Sequence, residues 1–208
     1  MSDSALPSMR LVVGLGNPGK EYEGTRHNVG FSVLDVMAAN LGVSFSREAK
    51  WDAMVVKLPD CDLSLIKPMT FMNLSGEAVG EYARFYRIPP ASVLVVLDDI
   101  ALPLGTLRLR PEGGAGGQRG LESVLVHFAT EQVPRLRVGI GGVAEGRDLC
   151  GHVLTRFSKD EQSSADHSVN RAAEAAICAV RKGITTAMNL YNATPATDKS
   201  QNNTATQP

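Results

Sequence analysis

Short apolar runs alternate with amphipathic helical patterns along most of the chain. Continuous apolar runs predict buried strands, with clear examples at Leu11–Leu15, Asp62–Ile66, Val93–Leu97 and Leu136–Ile140 and weaker ones at Ala53–Val56 and Thr106–Leu109. Apolar residues at helical spacing predict helices at Val29–Leu41, Leu74–Tyr86, Leu121–Phe128 and Asp160–Arg181. Strands interleaved with helices predict an α/β domain with a mostly parallel β-sheet flanked by helices.

The two ends of the chain lack this pattern. Residues 192–208 read NATPATDKSQNNTATQP and contain almost no large apolar side chains. Such a segment cannot bury enough surface to offset the entropy lost on ordering. We therefore expect a flexible N-terminus at residues 1–8, a single domain at residues 9–191 and a disordered tail at residues 192–208. The last predicted helix opens with a capping box, Ser158 and Glu161.

Composition and charge narrow the class of protein. The net charge of the 208 residues is −1, so a nucleic-acid partner would have to meet a local basic patch instead of a global field. The three cysteines, Cys61, Cys150 and Cys178, are far apart and form no CxxC pair. This spacing argues against a disulfide scaffold and against a zinc site, so we expect no metal. The chain begins with no signal-peptide pattern and contains no run of ~20 apolar residues, which predicts a soluble, cytoplasmic protein.

Polar segments follow three of the predicted strands. GNPGKEYEGTRHN follows the first strand, KPMTFMNLSG follows Asp62–Ile66, and DDIALPLG follows Val93–Leu97. In open α/β sheets, ligands bind beyond the carboxyl ends of the strands. The three segments therefore predict a polar rim, made of Asn17, His27, Asn28, Asn73, Asp98 and Asp99.

His27 is the candidate general base at this rim. A histidine has an unperturbed pKa of ~6.5 and can exchange protons near neutral pH. A carboxylate on its Nδ1–H would fix the tautomer and leave Nε2 as the base. Asp98 and Asp99 point to opposite faces of their strand, so only one of them should reach the site. The alternative is that His27 is a surface residue at a helix start, with Asn28 as the cap.

A covalent mechanism has little support in the sequence. No serine or cysteine lies in a nucleophile elbow such as GxSxG. If His27 is a base, its proton comes from water, and hydrolysis without a covalent intermediate follows.

Two asparagines could position a substrate. The amides of Asn17 and Asn73 can donate to a carbonyl or a developing oxyanion. Asn73 has an alternative role as a helix N-cap, because asparagine is favoured at that position. Phe71 and Met72 either line an apolar slot or belong to the core.

The first glycine-rich segment, VVGLGNPG, has the form GxGxxG after a strand. A dinucleotide site would need a helix to start there and an acid after the next strand. Pro18 and Gly24 interrupt such a helix, and Lys57 follows the strand candidate Ala53–Val56. A dinucleotide-dependent oxidoreductase is therefore the minor alternative, and a tight turn explains the glycines.

A second glycine-rich segment, EGGAGGQRGLESVLVHF, precedes the predicted helix at Leu121. Flexible backbone and helix N–H groups can receive a phosphate, but the segment lacks the Lys-Ser/Thr ending of a P-loop. Four strand-borne arginines flank it: Arg108, Arg110, Arg135 and Arg137. They predict a patch that contacts phosphates, and the alternative is an ordinary solvated surface.

GLGNPGKEYEGTRHNVG, KPMTFMNLSG, DDIALPLG, GGAGGQRGL and RLRVGIGG occur in this order. The set resembles the bacterial-type peptidyl-tRNA hydrolase family over nearly all of residues 9–190. The resemblance implies a single α/β domain with a central mixed sheet, monomeric and without a metal or other cofactor. It implies cleavage of the ester that joins a peptide to the 3′ ribose of peptidyl-tRNA.

The resemblance also assigns roles to residues. The catalytic pair falls on His27 and Asp98. The substrate-binding asparagines fall on Asn17 and Asn73, and the pocket tyrosine falls on Tyr22; Phe71 and Met72 join this substrate group. Arg110 and Arg137 match residues that contact tRNA phosphate.

The second glycine-rich segment departs from the family pattern. The family usually continues Gly-Gly-His-Asn-Gly, whereas this chain has Gln118 and Arg119 after its paired glycines. Arg119 therefore replaces an asparagine that contacts substrate, and arginine carries a charge and accepts no hydrogen bond. The departure keeps open a relative that binds RNA without hydrolysing it.

Overall fold

The computed structural model of the chain describes residues 8–142 and 148–193. Within them a seven-stranded sheet forms from β1 (Leu11–Gly14), β2 (Ser46–Glu48), β3 (Ala53–Leu58), β4 (Leu63–Pro68), β5 (Val93–Asp99), β6 (Leu107–Arg110) and β7 (Arg135–Gly139). The helices are α1 (Val29–Asn40), α2 (Ser75–Phe85), α3 (Arg119–Phe128), α4 (Leu149–Val153), α5 (Lys159–Lys182) and α6 (Ile184–Tyr191). Helices cover both faces of the sheet, which confirms the predicted α/β class.

The sheet is mixed, with a parallel centre. Its strand order is β2-β3-β4-β1-β5-β7-β6. The central strands β4, β1, β5 and β7 are parallel, whereas β2, β3 and β6 pair antiparallel at the edges. Because β1 lies between β4 and β5, the segments that follow these three strands emerge at the same rim.

Burial on both faces explains the continuous apolar runs of β1 and β5, since every residue of these strands is buried. Side chains on one face, including Val12 and Val96, pack against α1, α5 and α6. Side chains on the other face, including Val13 and Val95, pack against α2 and α3. The two layers hold the carboxyl end of β5 in a fixed place.

The predicted elements are present with ends shifted by at most two residues, and three elements were missed. The edge strand β2 reads SRE and has no apolar residue to reveal it. The helix α4 is only five residues long. The helix α6 follows α5 after Gly183 alone, whose φ of 84° ends the preceding helix.

The C-terminal end of the described chain is tied to the sheet. Asn192 follows α6, and its side chain accepts from the backbone N–H of Leu109 at 2.6 Å and donates to the carbonyl of Leu109 at 3.1 Å. Residues 1–7 and 194–208, which make up most of the two segments predicted to be flexible, lie outside the described residues. In the described part of the chain, no helix is long and apolar enough to cross a membrane.

Candidate active site

The glycines at the end of β1 and just after it allow α1 to pack closely against the strand. A Cβ on Gly14 would lie 2.4 Å from the carbonyl oxygen of Gly30, and one on Gly16 would lie 2.8 Å from the Phe31 ring. The segment after Gly19 is a 3-10 turn, and α1 begins only at Val29. This is not the strand-turn-helix geometry that a dinucleotide site requires, so the glycines serve packing.

His27 and Asp98 meet at the rim. His27 lies in a 3-10 turn, Arg26–Asn28, directly before α1, and its Nδ1 is 2.8 Å from Oδ2 of Asp98. The His27 side chain is 15% exposed and that of Asp98 is 4% exposed. An ionised carboxylate only accepts hydrogen bonds, so Nδ1 carries the proton and donates. The arrangement leaves Nε2 as the nitrogen that can accept a proton from water.

Asp99, the neighbouring acid, has different partners. Its Oδ1 accepts from the backbone N–H of Ala101 at 2.9 Å, and its other oxygen is paired with the guanidinium of Arg137. Strand alternation places the two carboxylates on opposite faces of β5. Asp98 is therefore the acid that contacts His27, and Asp99 belongs to the arginine side of the rim.

A buried arginine anchors the turn that carries His27. Arg26 donates to the carbonyl of Ile140 at 3.1 Å and to Oε2 of Glu161 at 2.7 Å, and its guanidinium lies 4.6 Å from the Phe157 ring centroid. The Arg26 hydrogen bond, aided by the Ser158 N–H, lowers the pKa of Glu161 from 4.5 to about 2. The Ser158 N–H donates to Glu161 at 2.9 Å, which confirms the predicted capping box.

Asn28 is not the side-chain cap proposed in the surface alternative for His27. It accepts from the backbone N–H of Asn17 at 2.8 Å and donates to the Asn17 carbonyl at 2.9 Å. The Oδ1 of Asn17 in turn accepts from the backbone N–H of Met72 at 2.7 Å. The segments after β1 and β4 are thus joined beside His27. Among the described residues the Asn17 amide nitrogen has no partner, so it can donate to a substrate.

The other residues predicted to bind substrate differ in exposure. Asn73 is exposed in the 3-10 turn Met72–Leu74, and α2 has Leu74 at its N-cap position with no side-chain bond, so Asn73 does not cap that helix. Phe71 is exposed, whereas Met72 is buried. Tyr22 is half-buried in the turn before His27.

A cleft of about 640 Å³ opens beside His27 and Asp98. Its wall includes five of the predicted site residues: His27, Asp98, Arg110, Arg119 and Arg137. The other five lie outside this wall: Asn17, Tyr22, Phe71, Met72 and Asn73. Leu149, Cys150 and Val153 of α4 form a side of the cleft that the sequence interpretation missed. The sequence feature that marks the start of α4 is Asp148. Its side chain caps the helix by accepting a hydrogen bond from the backbone N–H of Cys150.

The arginines of β6 and β7 share a face of the sheet but not an environment. Arg108 lies opposite Arg137 and Arg110 opposite Arg135 in the antiparallel register. Arg135 is 3% exposed, and it donates to the backbone carbonyls of Val133, Gly114 and Glu131. Arg110 is exposed, and the Arg137 side chain is 35% exposed. Arg135 therefore supports the second glycine-rich segment, whereas Arg110 faces solvent and Arg137 is partly exposed and paired with Asp99.

Gln118 is a site residue that the sequence interpretation missed. Its Oε1 accepts from the backbone N–H of Leu121 at 2.7 Å, which makes it the N-cap of α3. Its Nε2 donates to Oδ1 of Asp98 at 3.0 Å. The sequence signal was its position, directly before a helix and after a glycine loop, where a polar side chain reaches the strand ends. Arg119 follows as an exposed first residue of α3.

Comparisons with known proteins agree with one another. Residues 11–202 match the family model described as Peptidyl-tRNA hydrolase. A peptidyl-tRNA hydrolase of Caldanaerobacter subterraneus subsp. tengcongensis is 46% identical, covering 88% of this chain and 100% of the relative. A peptidyl-tRNA hydrolase of Elusimicrobium minutum is 43% identical, covering 88% of this chain and 99% of the relative. The crystal structure of peptidyl-tRNA hydrolase from Acinetobacter baumannii matches with a TM-score of 0.84 at 35% identity, covering 91% of this chain and 97% of that one.

Proposed function

The chain belongs to the peptidyl-tRNA hydrolase family, and we propose that it hydrolyses the peptidyl-tRNA ester with His27 as general base and Asp98 as its orienting partner. The observation that carries this assignment is the 2.8 Å contact between His27 Nδ1 and Asp98 Oδ2 at the edge of the cleft. Burial of Asp98 favours the pairing, because a buried carboxylate needs partners.

The reaction is a direct attack by water on the ester carbonyl. His27 Nε2 takes a proton from the water as the oxygen forms its bond to the carbonyl carbon, and Asp98 stabilises the imidazolium. When the tetrahedral intermediate collapses, the bond to the ribose oxygen breaks and the imidazolium returns the proton to that oxygen. The products are a peptide carboxylate, with its proton released to solvent, and a tRNA with a free 3′ hydroxyl.

Two amides position the ester in this proposal. The Asn17 amide nitrogen is held in place by its own Oδ1, which accepts from the Met72 N–H at 2.7 Å. It is therefore a preorganised donor for the carbonyl oxygen. Asn73 is exposed one residue further on and is suited to hold the peptide backbone. Tyr22, Phe71 and Met72 contact the peptide or support these amides.

The arginine side of the rim holds the tRNA. Arg110 and Arg137 contact backbone phosphates; Arg110 is exposed and Arg137 is partly exposed on the same face of the sheet, which supports this role. Arg119 is exposed at the start of α3 and lies in the wall of the cleft, so it meets the 3′ terminal nucleotide.

The direct test is to incubate the protein with an N-blocked aminoacyl-tRNA, without cofactor, and to measure free tRNA. We expect turnover by the wild type, and a loss of about 10²- to 10⁴-fold in kcat for His27→Ala with tRNA binding retained. His167→Ala is the matched control, because His167 is exposed on α5, away from the cleft. Binding of tRNA without turnover by the wild type would favour the RNA-binding alternative. NAD(P) binding at residues 14–19 would favour the oxidoreductase.

A further inference from the structure

We propose that Gln118 is a positioning residue that fixes the Asp98 carboxylate in the orientation His27 needs. This inference rests on the proposed function and assigns to the chain's own Gln118 a part in the same site. Gln118 touches neither His27 nor, in this proposal, the substrate. It acts through Asp98, to which its Nε2 donates at 3.0 Å.

The hydrogen bonds of Asp98 carry the argument. Oδ2 accepts from His27 Nδ1 at 2.8 Å, and Oδ1 accepts from Gln118 at 3.0 Å. These are the side-chain contacts of Asp98 among the described residues, and the side chain is 4% exposed. Without Gln118, Oδ1 would be a buried acceptor with no partner, which is strongly unfavourable for a carboxylate. The carboxylate would turn to find another donor, and Oδ2 would leave Nδ1.

Gln118 is itself held from two sides. Its Oε1 accepts from the Leu121 N–H at 2.7 Å, so the amide group faces the helix with its oxygen and Asp98 with its nitrogen. Both neighbours require this orientation, since a backbone N–H needs an acceptor and an ionised carboxylate needs a donor. The amide nitrogen also lies 3.4 Å from the Met72 sulfur. The start of α3 therefore sets the geometry of the catalytic pair.

Substitutions can separate the two hydrogen bonds of the Gln118 amide, the one to the Leu121 N–H and the one to Asp98. Gln118→Glu keeps an oxygen for the Leu121 N–H and so keeps the helix cap. It removes the donor to Asp98 and places a second carboxylate oxygen there. Gln118→Ala removes both the cap and the donor. A role in helix capping alone predicts that only the alanine variant is impaired.

The experiment measures kcat, KM and Tm for both variants, at about pH 8 so that the introduced glutamate is ionised. For Gln118→Glu we expect kcat to fall about tenfold to a hundredfold, the size of effect of a hydrogen bond to a charged group. KM should stay within roughly twofold, because the ground-state contacts to tRNA are intact. Tm should fall in both variants, because the buried Asp98 carboxylate loses its donor in each of them, so the kinetics are compared at a temperature well below both Tm values. The matched control is Gln132→Glu, an exposed position outside the cleft, which adds the same charge and should keep wild-type kinetics.

A double-mutant cycle with Asp98→Asn separates the inference from the function it rests on. In the Asp98→Asn background, Gln118→Glu should lower kcat by less than roughly twofold, because the group it positions is already lost. Full additivity of the two losses, or a wild-type kcat for Gln118→Glu alone, would overturn the role of Gln118 and leave the His27 mechanism standing. A wild-type kcat for Asp98→Asn alone would overturn the mechanism and the inference together.

Discussion

The two sides of the cleft differ in how their polar groups are satisfied. On the side of His27, the functional side chains are bonded to one another or to the backbone: Asp98 has two partners and Asn17 is fixed to Met72. On the arginine side, Arg110 and Arg119 are exposed and have no hydrogen bond among the described residues, and Arg137 is partly exposed and paired with Asp99. The first side is preorganised, as proton transfer requires. The second is open, as suits a charged surface that meets a large and hydrated backbone.

Asp98 and Asp99 mark the boundary between these two sides. They are adjacent on β5, yet Asp98 is bonded to His27 whereas Asp99 is paired with Arg137. A change at either position should therefore damage one side of the cleft and spare the other.

The largest predicted contrast is between Asp98→Asn and Asp99→Asn. Asp98→Asn should lower kcat about 10²- to 10⁴-fold, because an amide cannot stabilise the imidazolium as a carboxylate does. Asp99→Asn should change kcat little. It should alter KM for tRNA substrates, because Arg137 loses the carboxylate with which it is paired. Steady-state kinetics of both variants give the comparison. A greater loss of kcat in Asp99→Asn would show that the assignment of the two strand faces is wrong.

The next contrast lies between the two asparagines beside His27. Asn17→Ala and Asn73→Ala should each lower kcat by ~10²-fold if both amides hold the ester. Only Asn17→Ala should also lower Tm, because its Oδ1 accepts from the buried Met72 N–H. Asn73 is exposed and does not cap α2, so its loss should leave Tm unchanged. Thermal melting beside kinetics checks this, and an Asn73→Ala variant with lower Tm and normal kcat would contradict it.

A smaller effect is expected on the arginine side. Arg110→Ala and Arg137→Ala should raise KM for tRNA substrates, and each should reduce the salt slope of tRNA binding by ~1. Arg108→Ala is the matched control, since Arg108 shares the sheet face but lies outside the cleft wall. Binding titrations at several salt concentrations give the slopes. Equal salt slopes for the wild type and both variants would show that neither arginine contacts a tRNA phosphate.

The smallest effect concerns stability in acid. The pKa of Glu161 is lowered from 4.5 to about 2, so its ion pair with Arg26 stabilises the fold above pH 4.5. This contribution is lost as the pH falls from about 4.5 towards 2. Because the Glu161 side chain is 34% exposed, the effect is modest. Between pH 5 and pH 3, the Tm of Glu161→Gln should fall less than the Tm of the wild type. Glu174→Gln, exposed on the same helix, should follow the wild type.

The strand ends that position the candidate site could be predicted from the sequence, whereas the partners of individual side chains could not. The strongly apolar strands β1 and β5 and the fold class place His27 near Asp98 and Asp99, whereas the choice of Asp98 over Asp99 came from the family resemblance. Gln118 was missed because its bond to Asp98 crosses 20 residues and joins a helix cap to a strand end. Arg135 and Arg137 look alike in the sequence, and only the depth of burial separates the buried structural residue from the partly exposed one.

The central claim is that chemistry and tRNA binding lie on separate sides of the cleft. The most direct measurement compares kcat/KM on an N-blocked aminoacyl-tRNA with kcat/KM on a minimal aminoacyl ester of adenosine. The variants compared are His27→Ala, Arg110→Ala and Arg137→Ala. We expect His27→Ala to lose activity on both substrates by the same factor, and the arginine variants to lose activity on the full tRNA alone. Equal losses on the two substrates for the arginine variants, or minimal-ester activity retained by His27→Ala, would contradict it.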